Sequence, residues 1–551
     1  MFIRIKRVKN SQGKVREYLL LVESQRVKGK VRQRTIANLG RVDLYVQTEA
    51  ADILVEKLQE YTKKKQLMDM AKSQCDWSKE YGIVGVVRRL WQDLGLDEFF
   101  RGYLSKYGYQ VNYKECLLAM VTARFMNKPC SERATERWMK EVYDPQWEGL
   151  QRHHFYRALD FLHAHKADLE KDLFTKTTDL FSQKLDLIMF DTTTIKYWGE
   201  GDSAKDLLNY GHSKEKRNDL KQMIVGVLMT KEGYPVGCET LPGNAADVKS
   251  FMNMVKKIRT RFQIGKLIWV CDRGMICRSN LKELNDLGQE YILGVKMRQF
   301  DKDKKEKLLS LRGVKEVRKD LYVKEVYIEG EGRYIVCYNP FEAKRQREKR
   351  KAFKRYLRKK VNTATLKEWV VKNGHKKYVN FEGSVSINEQ KIKDESQYDG
   401  KWILLTNTTL PQKEVALQYK GLWEIEAGFR DLKQDLDASP IYHWKERRII
   451  AHVFVCFLAL LIKIAFEKKL RALDPKVDYV EVWQAVKQIK AVKLSSGPQE
   501  IIFRSEFPDK AYLAFKALGL ASPPRILYYK NEKCSVPSPG DCLTLDDKRL
   551  F

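Results

Sequence analysis

The sequence predicts an α/β protein built on a mixed sheet, with a small β unit and an all-helical region before that sheet and a β-rich insertion within it. Three observations carry the prediction. A chain of 551 residues exceeds one ordinary core, since domains usually run about 100 to 200 residues. Short apolar runs alternate with amphipathic stretches from residue 185 onward, the pattern of strands and helices sharing a sheet. Before that point the apolar residues recur at i, i+3, i+4 and i+7, which is a helical period.

Residues 1–48 open with FIRIKRVK, YLLLVES and KVRQRTIANLG, separated by the turn signals Asn10-Ser11-Gln12-Gly13 and Lys28-Gly29. These segments read as a basic β unit. Its first 45 residues hold twelve Lys/Arg and three acids, so it is either a DNA-contacting ribbon or a solvated sheet face. Residues 49–183, with VVRRLWQDLGLDEFF, CLLAMVTARFM and FYRALDFLHAH, read as helical. His153, His154, His163 and His165 fall there without cysteine or carboxylate at ligand spacing, and are expected to be structural.

From 184 to 296 the expected order is strand LDLIMF, hairpin KQMIVGVLMT and YPVGCETL, helix NAADVKSFMNMVKKIRTRF, strand KLIWVC, helix RSNLKELNDLG and strand EYILGVK. Residues 297–411 break this rhythm with the β-like segments LYVKEVYI, GRYIVCYN, KYVNFEGSVSI and KWILLTN. They also hold a helical run that carries eleven basic residues and one acid from Lys344 to Lys360. That run is a solvated basic helix or, given Phe353 and Tyr356 as an anchoring face, a contact to a phosphate backbone. Residues 412–475 return to helix, with a break at Pro440. Residues 476–551 are expected to form a C-terminal helical region, with WQAVKQIKAV as a weaker helix, and a poorly ordered tail.

The charge balance narrows the partner. Lys plus Arg total 103 against 72 Asp plus Glu, a net +31. Such an excess suits a polyanion, by default nucleic acid, because cations displace the counterions condensed along phosphates. The bland reading is a soluble basic or ribosome-like protein. Ten cysteines, at 75, 116, 130, 238, 271, 277, 337, 456, 534 and 542, show no metal-site or disulfide spacing, and are expected to be reduced cytosolic thiols. The N-terminus Met-Phe-Ile-Arg-Ile-Lys-Arg lacks the apolar run of a signal peptide. The apolar run Val453 to Ile462 is about half a membrane span, so a buried core helix and a cytoplasmic protein without a membrane partner are expected.

Three carboxylates are placed for chemistry. Asp191 follows LDLIMF and Asp272 follows KLIWVC, so each sits at the carboxyl end of a buried strand, the edge where α/β sheets gather ligands. On adjacent strands they would repel unless a proton or a cation intervenes. Glu426 lies on EVALQYKGLWEIEAGFRDLKQDL. At about 100° per residue it shares an arc with Tyr419, Trp423, Arg430 and Lys433, beside the apolar stripe Leu422, Ile425, Phe429, Leu432 and Leu436. The plain alternative for Glu426 is an ion pair with Arg430. Asp186, Asp202, Asp247, Glu424 and Asp431 fit less well, because none joins a strand end or apolar helix edge to basic and aromatic neighbours. Two Asp and one Glu suit Mg²⁺ or Mn²⁺ rather than zinc, and two such ions are the usual machinery of phosphodiester cleavage.

The ordered set Asp191-Thr192-Thr193-Thr194, Val270-Cys271-Asp272-Arg273-Gly274-Met275 and Tyr419 through Lys433 resembles the DDE transposases of bacterial insertion sequences. Within them it is similar to the branch with a β-rich insertion between the second Asp and the Glu. That branch carries Tyr, two residues, Arg, three residues, Glu, six residues, Lys. Tyr419, Glu426 and Lys433 match, and Leu422 stands at the Arg position, a departure that removes one phosphate or hairpin contact. GHSKEKRNDLKQMIVGVLMTKEGYPVGCETLPGN and IYHWKERRIIAHVFVCFLALLI are also similar, and the resemblance covers about 185 to 465.

The resemblance implies a ribonuclease H-like core in which Asp191, Asp272 and Glu426 are the catalytic and metal-binding residues. It also implies that Tyr419, Lys433 and Arg430 contact DNA. Trp423, and less so Trp198, are candidates for stacking on a displaced base. The function implied is a transposase that binds the terminal inverted repeats of its element, cleaves there with two divalent metals and joins the ends to target DNA. Second-strand cleavage through a hairpin and a homodimeric synaptic complex follow from the same likeness. A transposase-derived DNA-binding regulator and a metal-dependent nuclease are the competing expectations.

Overall fold

The computed structural model describes residues 2–9, 13, 15–27, 30–43, 74–109, 111–125, 131–180, 187–198, 206–211, 219–245, 247–262, 267–272, 277–360, 378–380, 386–436, 438, 441–496 and 499–530. The expected C-terminal tail, the Pro440 break, Asp186, Asp202 and Arg273 to Met275 lie outside these residues. The chain forms two compact units, one from the described parts of 1–78, 491–505 and 524–538, the other from the described parts of the remainder.

The N-terminal segments form an antiparallel sheet of β1 (Phe2–Lys9), β2 (Val15–Val27) and β3 (Lys30–Arg41). Every side chain of β1 is exposed, so its alternating Ile and Lys/Arg residues form a solvated basic ribbon. Strand β4 (Gln74–Glu80) follows, inside the stretch expected to be wholly helical. Its residues carry no strand period of their own, and only pairing within a sheet built from distant sequence makes them a strand.

Six helices come next: α1 (Gly82–Asp93), α2 (Leu96–Tyr107), α3 (Tyr113–Ala123), α4 (Glu132–Met139), α5 (Arg152–Ala164) and α6 (Lys166–Leu180). The apolar positions of α1, from Ile83 and Val84 to Leu90 and Trp91, are buried, as the helical period requires. Glu115 of α3 is fully buried, and is matched by Arg88 at 2.8 Å and by the indole N–H of Trp147 at 3.0 Å. Such compensation is what permits a charge in a core.

The central feature is a nine-stranded mixed sheet. It is built from β5 (Leu187–Lys196), β6 (Gln222–Thr230), β7 (Pro235–Pro242), helix α7 (Asp247–Phe262), β8 (Ile268–Cys271), helix α8 (Arg278–Asp286) and β9 (Glu290–Gly294). Strands β5, β6 and β7 form an antiparallel meander, and β8 and β9 run parallel to β5 on its other side. The spatial order β7-β6-β5-β8-β9, with helices covering the two parallel crossovers, is the ribonuclease H-like arrangement. All of β6 is buried, which explains why it reads as one unbroken apolar run. A Cβ on Gly226 would lie 2.6 Å from the Phe190 ring, so glycine is needed where β6 passes that side chain.

The insertion contains α9 (Lys302–Leu309), β10 (Lys315–Arg318), β11 (Leu321–Ile328), β12 (Gly332–Tyr338), α10 (Pro340–Lys360), the short pair β13 (Val379–Asn380) and β14 (Ser386–Ile387), α11 (Glu389–Ser396) and β15 (Lys401–Thr406). Strands β15, β12, β11 and β10 extend the core sheet beyond β9 in antiparallel fashion. The insertion therefore continues the sheet that carries Asp191 and Asp272.

The following helical stretch is divided. Helix α12 (Gln412–Lys420) meets α13 (Leu422–Arg430) at Gly421, and a π turn spans Asp431–Asp435. A Cβ on Gly421 would sit 2.8 Å from the Met189 sulfur, so the break allows the chain to approach β5. The π turn, closed by Leu436 N–H on Asp431 C=O at 2.9 Å, moves Lys433 away from the phase of one continuous helix.

Helix α14 (Glu446–Leu473) is long and apolar enough to cross a membrane by length and composition, and 83% of its most apolar window is buried within the protein. It is a core helix. Beyond helix α15 (Tyr479–Lys487), the Ile489 carbonyl accepts hydrogen bonds from the backbone N–H of Tyr81 and Gly82 at 3.2 and 3.1 Å. The chain then becomes β16 (Lys490–Ser496) and β17 (Gln499–Arg504), followed by α16 (Asp509–Ala517) and β18 (Ile526–Lys530). These strands join β4 in a sheet of order β18-β17-β16-β4. This corrects the helical expectation for 476–551: WQAVKQIKAV splits between helix and strand through hydrogen bonds that local periodicity does not carry.

Candidate active site

Parallel pairing of β5 with β8 sets Phe190 opposite Cys271, so Asp191 and Asp272 stand side by side one residue further on. The shared ladder ends there because β8 stops at Cys271, whereas β5 continues, still buried, to Ile195 and pairs with β6 as far as Lys196. Asp191 therefore lies within its strand and not at the strand end that the apolar run predicts. The Asp191 carboxylate accepts the Thr192 backbone N–H at 2.7 Å. Burial first, then the charges of Asp191 and Asp272, push the Cys271 thiol well above its ordinary value.

Helix α13 brings the third carboxylate. Leu422, Ile425, Phe429, Leu432 and Leu436 are all buried, and this stripe seats the helix and its π turn against the sheet. Glu426 lies off the stripe and is exposed. Asp191, Asp272 and Glu426 line one cavity of about 440 Å³, together with Tyr419, Lys420, Leu422, Arg318, Asn339, Glu342 and Trp402.

Tyr419 donates its hydroxyl to Asp272 Oδ1 at 3.1 Å. Gly294 of β9 faces that hydroxyl so closely that a Cβ would overlap it. Lys420 and Arg318 each reach Asp320 at 2.6 Å. The hydrogen bond from Lys420, opposed by slight burial, holds Asp320 below the usual carboxylate range. Trp402 Nε1 is buried with no hydrogen-bond partner among the described residues.

The remaining sequence candidates lie elsewhere. Arg430 is exposed and Lys433 partly buried, and neither lines the cavity. The backbone of Trp423 belongs to α13, and its side chain is outside those described, as are those of Glu424 and Asp247. Asp431 pairs with Lys463 at 2.9 Å. Trp198 lies beyond β5, 52% exposed, where Tyr197 bridges Ile441. Among the helical-region histidines, His153 and His154 pack ring on ring, and His165 packs on Phe161 and Tyr103. Sequence reasoning missed Arg318, Asn339, Glu342, Trp402 and Lys420. Only Lys420, next to Tyr419, carried a local signal; the others reach the cavity because the insertion extends the sheet.

The three carboxylates share the cavity wall without forming one tight shell. Among the described residues, the group of metal-ligating side chains whose ligand atoms all fall within 4.8 Å of one another is Glu132, His443 and His452.

Comparisons with known proteins agree with this architecture. A family model described as the transposase DDE domain matches residues 182–462, just over half of the chain. A second, described as the N-terminal domain of IS1634 family transposases, matches residues 3–69. No curated protein matches. A solved structure, a cryo-EM structure of the piggyBac transposase synaptic complex with hairpin DNA, is similar at 8% identity with a TM-score of 0.35, over 68% of this chain and 70% of that one. That likeness is too distant to carry function across. The family match, with the two Asp strands and the Glu helix it spans, means that this chain belongs to the DDE transposases of insertion sequences.

Proposed function

We propose that the protein binds the terminal inverted repeats of its element as a homodimer, cleaves the phosphodiester bonds there and joins the ends to target DNA in the bacterial cytoplasm. The observation that supports this is the convergence of Asp191, Asp272 and Glu426 on one cavity in a chain with a transposase DDE domain.

The all-oxygen donor set fits Mg²⁺ or Mn²⁺, with Asp191, Asp272 and Glu426 as the residues that would hold it. Bound there, such ions would activate a water or 3′-hydroxyl oxygen and stabilise the leaving oxygen. The chain's own groups have separate tasks. Tyr419 orients the Asp272 carboxylate through its hydroxyl. Lys420 and Arg318 offer positive charge at the cavity wall to non-bridging phosphate oxygens. Trp423, Arg430 and Lys433 are assigned to DNA flanking the scissile bond. The basic β unit and the helical region are assigned to end recognition.

The test uses Asp191→Asn, Asp272→Asn and Glu426→Gln on a labelled duplex that carries the element's end, with Mg²⁺ or Mn²⁺. Each variant is expected to lose at least ~10²-fold in cleavage rate while its melting temperature is unchanged or slightly raised, because each removes one of three repelling charges. Retained cleavage in any variant overturns that residue's role. A strand-transfer product separates transposase from nuclease, and binding without cleavage by the unaltered protein favours a regulator.

A further inference from the structure

Helix α10 starts at the cavity and leads away from it. Asn339 and Glu342, at its start, both line the cavity, and Asn339 Oδ1 accepts the Glu342 N–H at 3.1 Å. Gly400 anchors this end: it holds φ +64°, and a Cβ there would collide with Asn339 O and Ala343. One face of the helix is docked. Ala343 is buried, Arg350 pairs with Asp399, and Phe353 packs on Tyr378 with ring centroids 5.7 Å apart.

The opposite face is a band of cations. Lys344, Arg345, Arg347, Lys349, Lys351 and Arg355 are exposed, and Glu348 is the one acid among them, so 6 − 1 leaves five positive charges. At about 100° per residue Lys344, Arg347, Lys351 and Arg355 fall within about 80° of one another, a single stripe along the axis. Like charges at i, i+3 and i+4 weaken a helix. Among the described residues, the acids that pair with this helix, Glu342, Glu389 and Asp399, contact Arg345, Lys354 and Arg350, which leaves the Lys344–Arg347–Lys351–Arg355 stripe with Glu348 as its one described acidic neighbour on the helix surface. A docked helix that keeps such a stripe is shaped for a partner of opposite charge with regular spacing.

We propose that α10 is a guide rail for duplex DNA, binding the phosphate backbone of the segment adjoining the bond held in the cavity. The proposal rests on the reading that the cavity cleaves DNA. The stripe from Lys344 to Arg355 spans about 17 Å, or about five base pairs at one phosphate per ~3.4 Å of strand. Recognition of this kind positions the duplex without reading its sequence.

The experiment compares the full chain with a variant carrying Lys344→Ala, Arg347→Ala, Lys351→Ala and Arg355→Ala, and with a control that removes equal charge from Lys302, Lys307, Lys413 and Lys516. Binding of a fluorescein-labelled duplex is measured across salt concentrations. Cleavage is followed on that duplex and on a shorter one that keeps only one or two base pairs beyond the scissile bond on the side of the rail. The slope of log K against log salt is expected to become shallower by about 3.6 in the stripe variant, at ~0.9 for each of four phosphate contacts, and to stay near its original value in the control. Cleavage of the long duplex should fall and that of the short one should persist, which also shows that the variant is folded. Arg347→Lys with Arg355→Lys should retain the slope. An unchanged slope in the stripe variant, with normal binding and cleavage by the unaltered protein, overturns the rail and leaves the cavity's role standing. Equal effects in stripe and control variants also overturn it. Absence of cleavage by the unaltered protein on either duplex overturns the reading on which the rail rests.

Discussion

Two clusters built around carboxylates in the same unit follow opposite principles. Glu132 is 4% exposed, yet His443 Nε2 lies 3.1 Å from it and the His452 ring stands 5.2 Å from that of His443. Arg124 donates to His452 Nδ1 at 3.3 Å. Burial raises the Glu132 pKa, and the hydrogen bond and charge of His443, with the charge of His452, outweigh it and hold the carboxyl at about 2. At the cavity, Asp191, Asp272 and Glu426 line one wall, while the wall's cations Arg318 and Lys420 are engaged by Asp320. Matched charges hold elements together; gathered like charges raise the energy of the protein alone and fall in energy when a cation arrives. The first pattern marks structure and the second marks a ligand site, although in both it is folding that gives a carboxylate neighbours distant in sequence.

The largest expected effect that separates them is on stability. His443→Ala leaves Glu132 buried without its partner and should cost about 3 kcal/mol in urea unfolding near neutral pH. The Glu132 pKa is lowered from 4.5 to about 2, so the stabilisation that its ionised form supplies is present above 4.5 and lost as pH falls toward 2. The unaltered protein and the variant should therefore converge in stability over that range. A gap that is the same at both ends would show that the carboxylate is not what His443 stabilises.

A smaller effect is expected from Gly294→Ala, which fills the space occupied by the Tyr419 hydroxyl. Displacing Tyr419 from Asp272 should lower the cleavage rate by about 10-fold or more, since small misplacements near a reacting centre are costly. Adding Tyr419→Phe removes the clashing hydroxyl. The double variant should regain the melting temperature lost by Gly294→Ala without regaining full activity. Recovery of activity as well would remove the hydroxyl from the mechanism.

The smallest effect is expected at Trp402. Trp402→Phe removes a buried N–H that has no hydrogen-bond partner among the described residues, so stability should be unchanged or slightly improved. If that N–H serves a phosphate oxygen, the KM for DNA should rise by an amount equivalent to about 1 kcal/mol, the net worth of an ordinary hydrogen bond. An unchanged KM would make Trp402 a wall of the cavity and nothing more.

Much of the core and the three carboxylates were legible because they depend on local, periodic signals. Residues 187–190 and 267–271 are buried and apolar without interruption, and each run is followed at once by Asp. The stripe Leu422, Ile425, Phe429, Leu432 and Leu436 showed which side of the Glu helix is inside, and left Glu426 outside it. Strands β4, β16, β17 and β18 were not legible, because they are strands through pairing with one another across the length of the chain. The turn from α15 into β16 was equally hidden, since the Ile489 carbonyl there is bound by the distant Tyr81 and Gly82.

The sequence by itself determined which segments are buried, where each carboxylate interrupts an apolar pattern and the sign of the surface that meets a partner. Periodicity and charge are properties of the chain read in order. Only the tertiary structure decided that the insertion extends the core sheet, so that Arg318, Glu342 and Trp402 share a wall with Asp191 and Asp272. It also decided that Gly294 must be small for Tyr419 to reach Asp272. Those facts depend on strand order and on distances between residues far apart in sequence, which folding sets through packing and pairing and which no local pattern encodes.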